Sequence, residues 1–245
     1  MLISLGRGRE GGRSRTGRPH PAGRYGLLLL VLILTYLLSA FSTSRLVTDL
    51  QVLLFLVVLV LALHTSPLPR RWTVPVGSAA LIGSVAATAA ALTGTGPGEG
   101  GAQIWKGLIL LLTVALIVRR VLARPTVTIQ SIYGALSAYM ILGLMFAAFY
   151  AAIYHLGPEH FFANGQPANT QTFQYFSFTT LTTLGYGDFT AAGEGGRAIA
   201  VMEALTGQIF LATLVARLVA AFRAPAGPQD DPDAGTTREP AGPPD

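Results

Sequence analysis

Six stretches of the chain are apolar for long enough to cross a bilayer as helices, at about 25–41, 47–64, 72–92, 104–121, 132–154 and 197–222. The hydrocarbon core of a membrane is about 30 Å thick, so a helix needs roughly twenty apolar residues to span it. A seventh apolar stretch, 173–184, is too short for that and lies between the last two long ones. Irregular backbone is tolerated at membrane depth only where it lines a cavity or is buried in protein, so this stretch fits a re-entrant helix. The pattern predicts an all-α membrane protein of six transmembrane helices plus one re-entrant helix.

The polar intervals give the fold its orientation. Residues 1–24 carry Arg7, Arg9, Arg13, Arg15, Arg18 and Arg24 among glycine, serine and proline, a composition too polar to bury a core, and they read as a disordered cytoplasmic tail. A basic segment ahead of an apolar run also begins a signal peptide. Here no Ala-x-Ala cleavage site follows and a second apolar run does, so an uncleaved first span is expected. Arg70 and Arg71 fall between spans two and three, and Arg119, Arg120 and Arg124 between spans four and five, while the alternate loops are poor in basic residues. Positive charge stays on the cytoplasmic side, which puts both termini there. The interval 93–102, with its glycines, Pro97 and Glu99 and no basic residue, reads as an outer loop. Residues 224–245 are rich in proline and glycine with Asp230, Asp231, Asp233 and Glu239, and read as a second disordered cytoplasmic tail. Between the tails, 25–124 forms a four-helix module and 125–223 a unit of two spans around the re-entrant segment.

Composition agrees with this class. Of 245 residues, 51% are hydrophobic and 12% charged, against about a quarter charged in soluble domains. Cysteine is absent, which excludes disulfides, thiolate metal sites and cysteine nucleophiles. The net charge of +5 is distributed as a topology signal and implies no nucleic-acid partner. Neither His-Glu-x-x-His nor Gly-x-Ser-x-Gly occurs, and no intramembrane carboxylates or histidines converge, so no enzymatic activity is expected.

The chemistry concentrates in Thr180-Leu181-Thr182-Thr183-Leu184-Gly185-Tyr186-Gly187-Asp188. A cation crossing a bilayer loses its water, and rings of backbone carbonyls can replace that water if consecutive ones point the same way. Extended backbone alternates its carbonyls. Gly185 and Gly187 enter the positive-φ region at no steric cost and so allow the neighbouring carbonyls to share one axis.

The run Thr183-Leu184-Gly185-Tyr186-Gly187-Asp188 resembles the signature Thr-Val-Gly-Tyr-Gly-Asp of tetrameric potassium channels, with Leu184 in place of valine. The resemblance covers 132–222 and leaves the first half of the chain unmatched. It implies a homotetramer in the lipid of the plasma (cell) membrane that conducts K⁺ past the carbonyls of Thr183, Leu184, Gly185 and Tyr186, with K⁺ as permeant ion and no organic cofactor. It implies a pore helix capped by Asn169 or Thr170, whose C-terminal dipole faces the permeant cation. Tyr175, Phe176 and Phe178 take the place of the family's aromatic cuff, and Thr179, Thr180 and Thr182 lead into the filter. Two positions depart from the family: Phe176 stands where tryptophan is common, and Thr179 where a buried glutamate sometimes sits. Asp188 is then expected to rely on the Tyr175 hydroxyl.

Gly207 follows Gly187 by twenty residues, as the family's hinge glycine does, and either flexes the inner helix or packs it against the pore helix. Gln208, Leu211 and Val215 are expected to face the cavity, and Ala212 and Ala216 to allow close helix packing. Glu203, an ionisable group in a membrane span, is expected near the outer third, snorkelling or bonding the filter loop. His155 and His160, flanking Glu159, read as solvated loop residues. The fourth span has Lys106 at its outer edge and arginines at its inner edge, without the ladder of a voltage sensor, so voltage gating is not expected. A non-conducting regulatory or scaffold subunit built on the same fold is the alternative.

Overall fold

The computed structural model describes residues 24–41, 45–65, 70–123, 127–157 and 160–222. Both tails expected to be disordered lie outside the described residues, apart from Arg24. The described residues form seven helices: α1 Arg24–Phe41, α2 Arg45–Thr65, α3 Arg70–Leu92, α4 Gly96–Leu122, α5 Ile129–Leu156, α6 Thr170–Leu181 and α7 Glu194–Phe222. Among the described residues four stretches are long and apolar enough to cross a membrane: Thr73–Leu92, Gly96–Leu122, Ile129–Leu156 and Glu194–Ala220. Tyr25–Phe41 is a shorter apolar helix, and α6, at 12 residues, is too short to span.

Helix α5 is the axis of the fold. It packs against α4, α1, α6 and α7, and its middle, Ile141 to Ala148, is buried without interruption. In lipid, helices associate through close packing and interhelical hydrogen bonds rather than through expulsion of water, and α5 does both. A Cβ on Gly107 of α4 would stand 2.5 Å from the Phe149 ring, and one on Gly143 of α5 would stand 2.7 Å from the Phe178 ring of α6. Each glycine is therefore the seat of a partner's aromatic ring. One core runs through α1, α2, α4, α5 and α6, joining Leu32, Phe55, Leu110 and Val114 to Ile141, Tyr150, Phe173 and Phe176. It crosses the boundary expected at residue 124. A smaller cluster, Leu59, Leu63, Ala80, Ile109 and Leu116, holds α2, α3 and α4 together.

The outer loop expected over 93–102 is much shorter. Only 93–95 are non-helical, and α4 begins at Gly96. Thr95 caps it, its hydroxyl accepting from the Gly98 N–H at 3.3 Å, and Pro97 sits in the first turn, where its missing N–H costs nothing. The glycines answer to packing: a Cβ on Gly100 would lie 2.5 Å from Leu156 Cγ. Tertiary contact thus overrides the low helix propensity of glycine. The extension also moves Lys106 from the expected outer edge to ten residues inside α4, roughly 15 Å along its axis. His155 falls in the last turn of α5 rather than in a loop, and its Nδ1 lies 2.8 Å from Glu99 Oε2, fastening the start of α4 to the end of α5. His160 is exposed, and Glu159 lies outside the described residues.

Candidate functional site

Helix α6 starts with a reciprocal cap. Asn169 Oδ1 accepts from the Thr172 N–H at 3.0 Å, and Thr172 Oγ1 accepts from the Asn169 N–H at 2.9 Å. Two of the orphan amides of the first turn are thereby satisfied. Phe173, Phe176 and Leu181 bury the apolar face. The polar Gln174 is buried too, and its Oε1 accepts from Ser39 Oγ of α1 at 3.2 Å.

Beyond α6 the backbone alternates. Thr183 has φ +57°, Gly185 +50° and Gly187 +80°, while Leu184 and Tyr186 between them keep negative φ. Alternation of left- and right-handed residues gathers N–H groups on one edge and carbonyls on the other. The amides identify the edges: Thr183 N–H donates to Thr180 O at 2.9 Å, and the N–H groups of Leu184 and Gly185 donate to Thr179 O at 2.8 and 3.1 Å. In a trans peptide each carbonyl is antiparallel to the next N–H, so the carbonyls of Thr182, Thr183 and Leu184 face away from α6. Thr179 and Thr180 serve here through their main-chain oxygens. The Thr179 hydroxyl turns back to Phe176 O at 3.0 Å and that of Thr182 to Phe178 O at 2.7 Å. The Thr182 oxygen accepts from the Thr183 hydroxyl at 2.7 Å, and a file of uncharged oxygens beyond it can replace water around a cation.

The outer end of this segment is tied at three points. Tyr175 Oη donates to Asp188 Oδ2 at 2.8 Å, Gln166 Nε2 donates to the Asp188 carbonyl, and Phe189 packs edge-on against Tyr175 and Phe162. Of the three aromatic residues expected around the filter, Tyr175 alone reaches it within the protomer. Phe176 packs with Tyr150, Phe161 and Phe162, and Phe178 meets Tyr36 of α1 edge-on at 4.9 Å. Both rings lie on the α5 side of the helix, because α5 and the loop before α6 offer apolar seats there. The cluster that braces the site, Phe161, Phe162 and Phe189, was not anticipated. Its one sequence signal is the buried pair Phe161-Phe162 in an otherwise polar loop. All residues from Thr182 to Asp188 are exposed on the protomer, with Leu184 at 54% and Tyr186 at 68%.

Behind α6 lies α7. Glu203 neither snorkels nor bonds the filter loop. It is wholly buried, with Oε2 accepting from Tyr150 Oη at 2.5 Å and Oε1 lying 2.5 Å from Ser177 Oγ of α6. One turn further, Gly207 faces the end of α6, where an added Cβ would stand 2.3 Å from Leu181 O. Tyr139 Oη donates to that same carbonyl at 3.2 Å. Gln208 Nε2 donates to Thr183 Oγ1 at 3.3 Å, at the inner end of the alternating segment. Leu211 is half-buried and Val215 exposed, three and seven residues on, which sets them along the same side of α7 as Gln208.

Residues 138–224 match a family model described as an ion channel. No curated protein and no solved structure matches the chain. The matched span includes most of α5 and all of α6, the alternating segment and α7. With four helices among the described residues apolar and long enough to cross a membrane, it supports a multi-pass integral membrane protein with an ion-channel role, and points to transport rather than catalysis.

Proposed function

We propose that four copies of this chain assemble in a lipid bilayer, the cell's bounding membrane, as a potassium-selective channel. The segment from Thr183 to Asp188 is the selectivity filter, and K⁺ passes by shedding water onto the carbonyls of Thr183, Leu184, Gly185 and Tyr186. The observation that carries this reading is the positive φ at every second residue, Thr183, Gly185 and Gly187, combined with amides that donate back to α6. In this reading the backbone presents consecutive oxygens to one axis, and one chain supplies one oxygen per level, so a closed ring needs symmetric copies. The exposure of Leu184 and Tyr186 supports assembly, since neighbouring copies would cover both.

In this reading α1 to α5 and α7 are six spans, α6 is re-entrant, and both termini are cytoplasmic, following the arginines between spans two and three and spans four and five. Tyr175, Thr179, Thr180 and Thr182 support the filter directly, Phe176 does so through the Phe161 and Phe162 rings it packs on, and Gln208, Leu211 and Val215 line the cavity below it. Gly207 secures the inner helix against the pore helix. Permeation is passive and needs no cofactor, and the channel has no voltage sensor. Purified protein in liposomes loaded with K⁺ provides the test: an imposed outward K⁺ gradient should polarise the vesicles, and a Na⁺ gradient of the same size should not. Correctly assembled tetramers that polarise with neither ion would favour the non-conducting subunit.

A further inference from the structure

Glu203 of α7, Ser177 of α6 and Tyr150 of α5 are each completely enclosed within the protomer. Their hydrogen atoms can be counted. Ser177 Oγ lies 2.6 Å from the carbonyl oxygen of Gly143 and 2.5 Å from Glu203 Oε1, and a serine hydroxyl brings one hydrogen. Both the Gly143 carbonyl and a Glu203 carboxylate would accept that one hydrogen, and in the arrangement that serves both contacts it goes to the carbonyl. The contact between Ser177 and Glu203 then requires a hydrogen from Glu203. Its other oxygen, Oε2, accepts from the Tyr150 hydroxyl at 2.5 Å.

We infer that Glu203 is a neutral carboxylic acid, a positioning residue whose proton completes a one-way chain of hydrogen bonds from Tyr150 through Glu203 and Ser177 to Gly143. In this chain each hydroxyl donates once, and bonds in series polarise one another. A carboxylate in the same place would force Ser177 to serve two acceptors with one hydrogen. It would also lack a counter-charge: among the described residues Arg197 pairs with Glu194 and His155 contacts Glu99, and neither involves Glu203. A buried, unpaired charge is strongly disfavoured. Because the three side chains are already sealed, a neighbouring copy cannot reach them, and the protonation state belongs to the single chain. The chain of bonds fixes α6 between α5 and α7, and so sets the depth of the segment that follows it. The consequence for conduction rests on the channel reading; the protonation state does not.

Infrared difference spectroscopy of the full-length protein in lipid at neutral pH tests this. Wild type minus Glu203→Gln should show loss of one carboxylic-acid C=O stretch and no change in the carboxylate stretches. The amide of glutamine reproduces both contacts, its NH₂ donating to Ser177 and its carbonyl accepting from Tyr150, so Glu203→Gln should melt with the wild type while Glu203→Met melts well below it. Where Glu203→Gln does not assemble, Ser177→Ala serves instead, and the acid band should shift to higher frequency as its acceptor is removed. Loss of carboxylate stretches in the glutamine variant, or glutamine melting with methionine, would overturn the inference. So would an acid band unmoved by Ser177→Ala. None of these readings depends on K⁺ flux, so a protein that conducts nothing would leave them intact.

Discussion

Gly207 lies so close to the carbonyl oxygen of Leu181 that a methyl group there would stand 2.3 Å from it. The neighbour is backbone, at the last residue of α6, and Tyr139 donates to the same oxygen, so it has no free direction of retreat. Gly207→Ala should therefore lower the melting temperature of the purified protein, at a cost on the order of 1–3 kcal/mol for overpacking, and disturb the alternating segment that follows α6. Unchanged stability with lowered open probability would assign the glycine to bending instead.

Gly185→Ala concerns the alternation itself. At φ +50° an alanine is strained by roughly 1–2 kcal/mol, although the space beside the residue is open. The strain is relieved by turning one peptide plane, which takes a carbonyl out of line. Tetramers should still form, with K⁺ over Na⁺ selectivity lost, read as the shift of reversal potential toward zero under opposing K⁺ and Na⁺. Retained selectivity would remove Gly185 from the filter.

Tyr175→Phe deletes the hydroxyl that donates to Asp188 Oδ2 and leaves the ring packed on Phe189. The expected result is normal assembly with current that declines faster during sustained opening, since the outer end keeps only the Gln166 and Phe189 contacts. Recordings in which the decline matches wild type would show that those two contacts suffice.

How much of this was legible beforehand follows from the range of the interactions. The apolar runs coincide with helices because length and hydropathy are local properties. The alternation was legible at Gly185 and Gly187, where glycine advertises positive φ. At Thr183 it was not, because a β-branched residue is the least expected there and is held by bonds to α6. The run 93–102 reads as a loop by propensity but is helical from Gly96 on, where the end of α5 packs against Gly96 and Gly100. Glu203 meets Ser177 and Tyr150 across 26 and 53 residues, and no local pattern encodes such a meeting.

Voltage dependence follows from where charge lies in α4. Twelve residues lie between Lys106 and Arg119, which stand about 20 Å apart along the helix, and none of the twelve is charged. Lys106 Nζ sits over the Phe55 ring at 5.7 Å and Arg120 over the Tyr25 ring at 5.6 Å, which are packed positions rather than steps of a ladder. A full charge moved across the membrane contributes about 2.3 kcal/mol per 100 mV, so a helix that moves none leaves opening almost flat with voltage. Lys106→Gln should not alter the slope of open probability against voltage. A steep slope that is independent of the permeant ion and lost in Lys106→Gln would make α4 a sensor.

Single-channel recording of purified protein in a planar bilayer, with K⁺ on one side and Na⁺ on the other, joins the alternating backbone from Thr183 to Gly187 to its proposed use. The filter reading predicts unitary currents that reverse far from zero, in the direction of K⁺ permeation. Currents reversing near zero, or an assembled tetramer that passes no current, would contradict it.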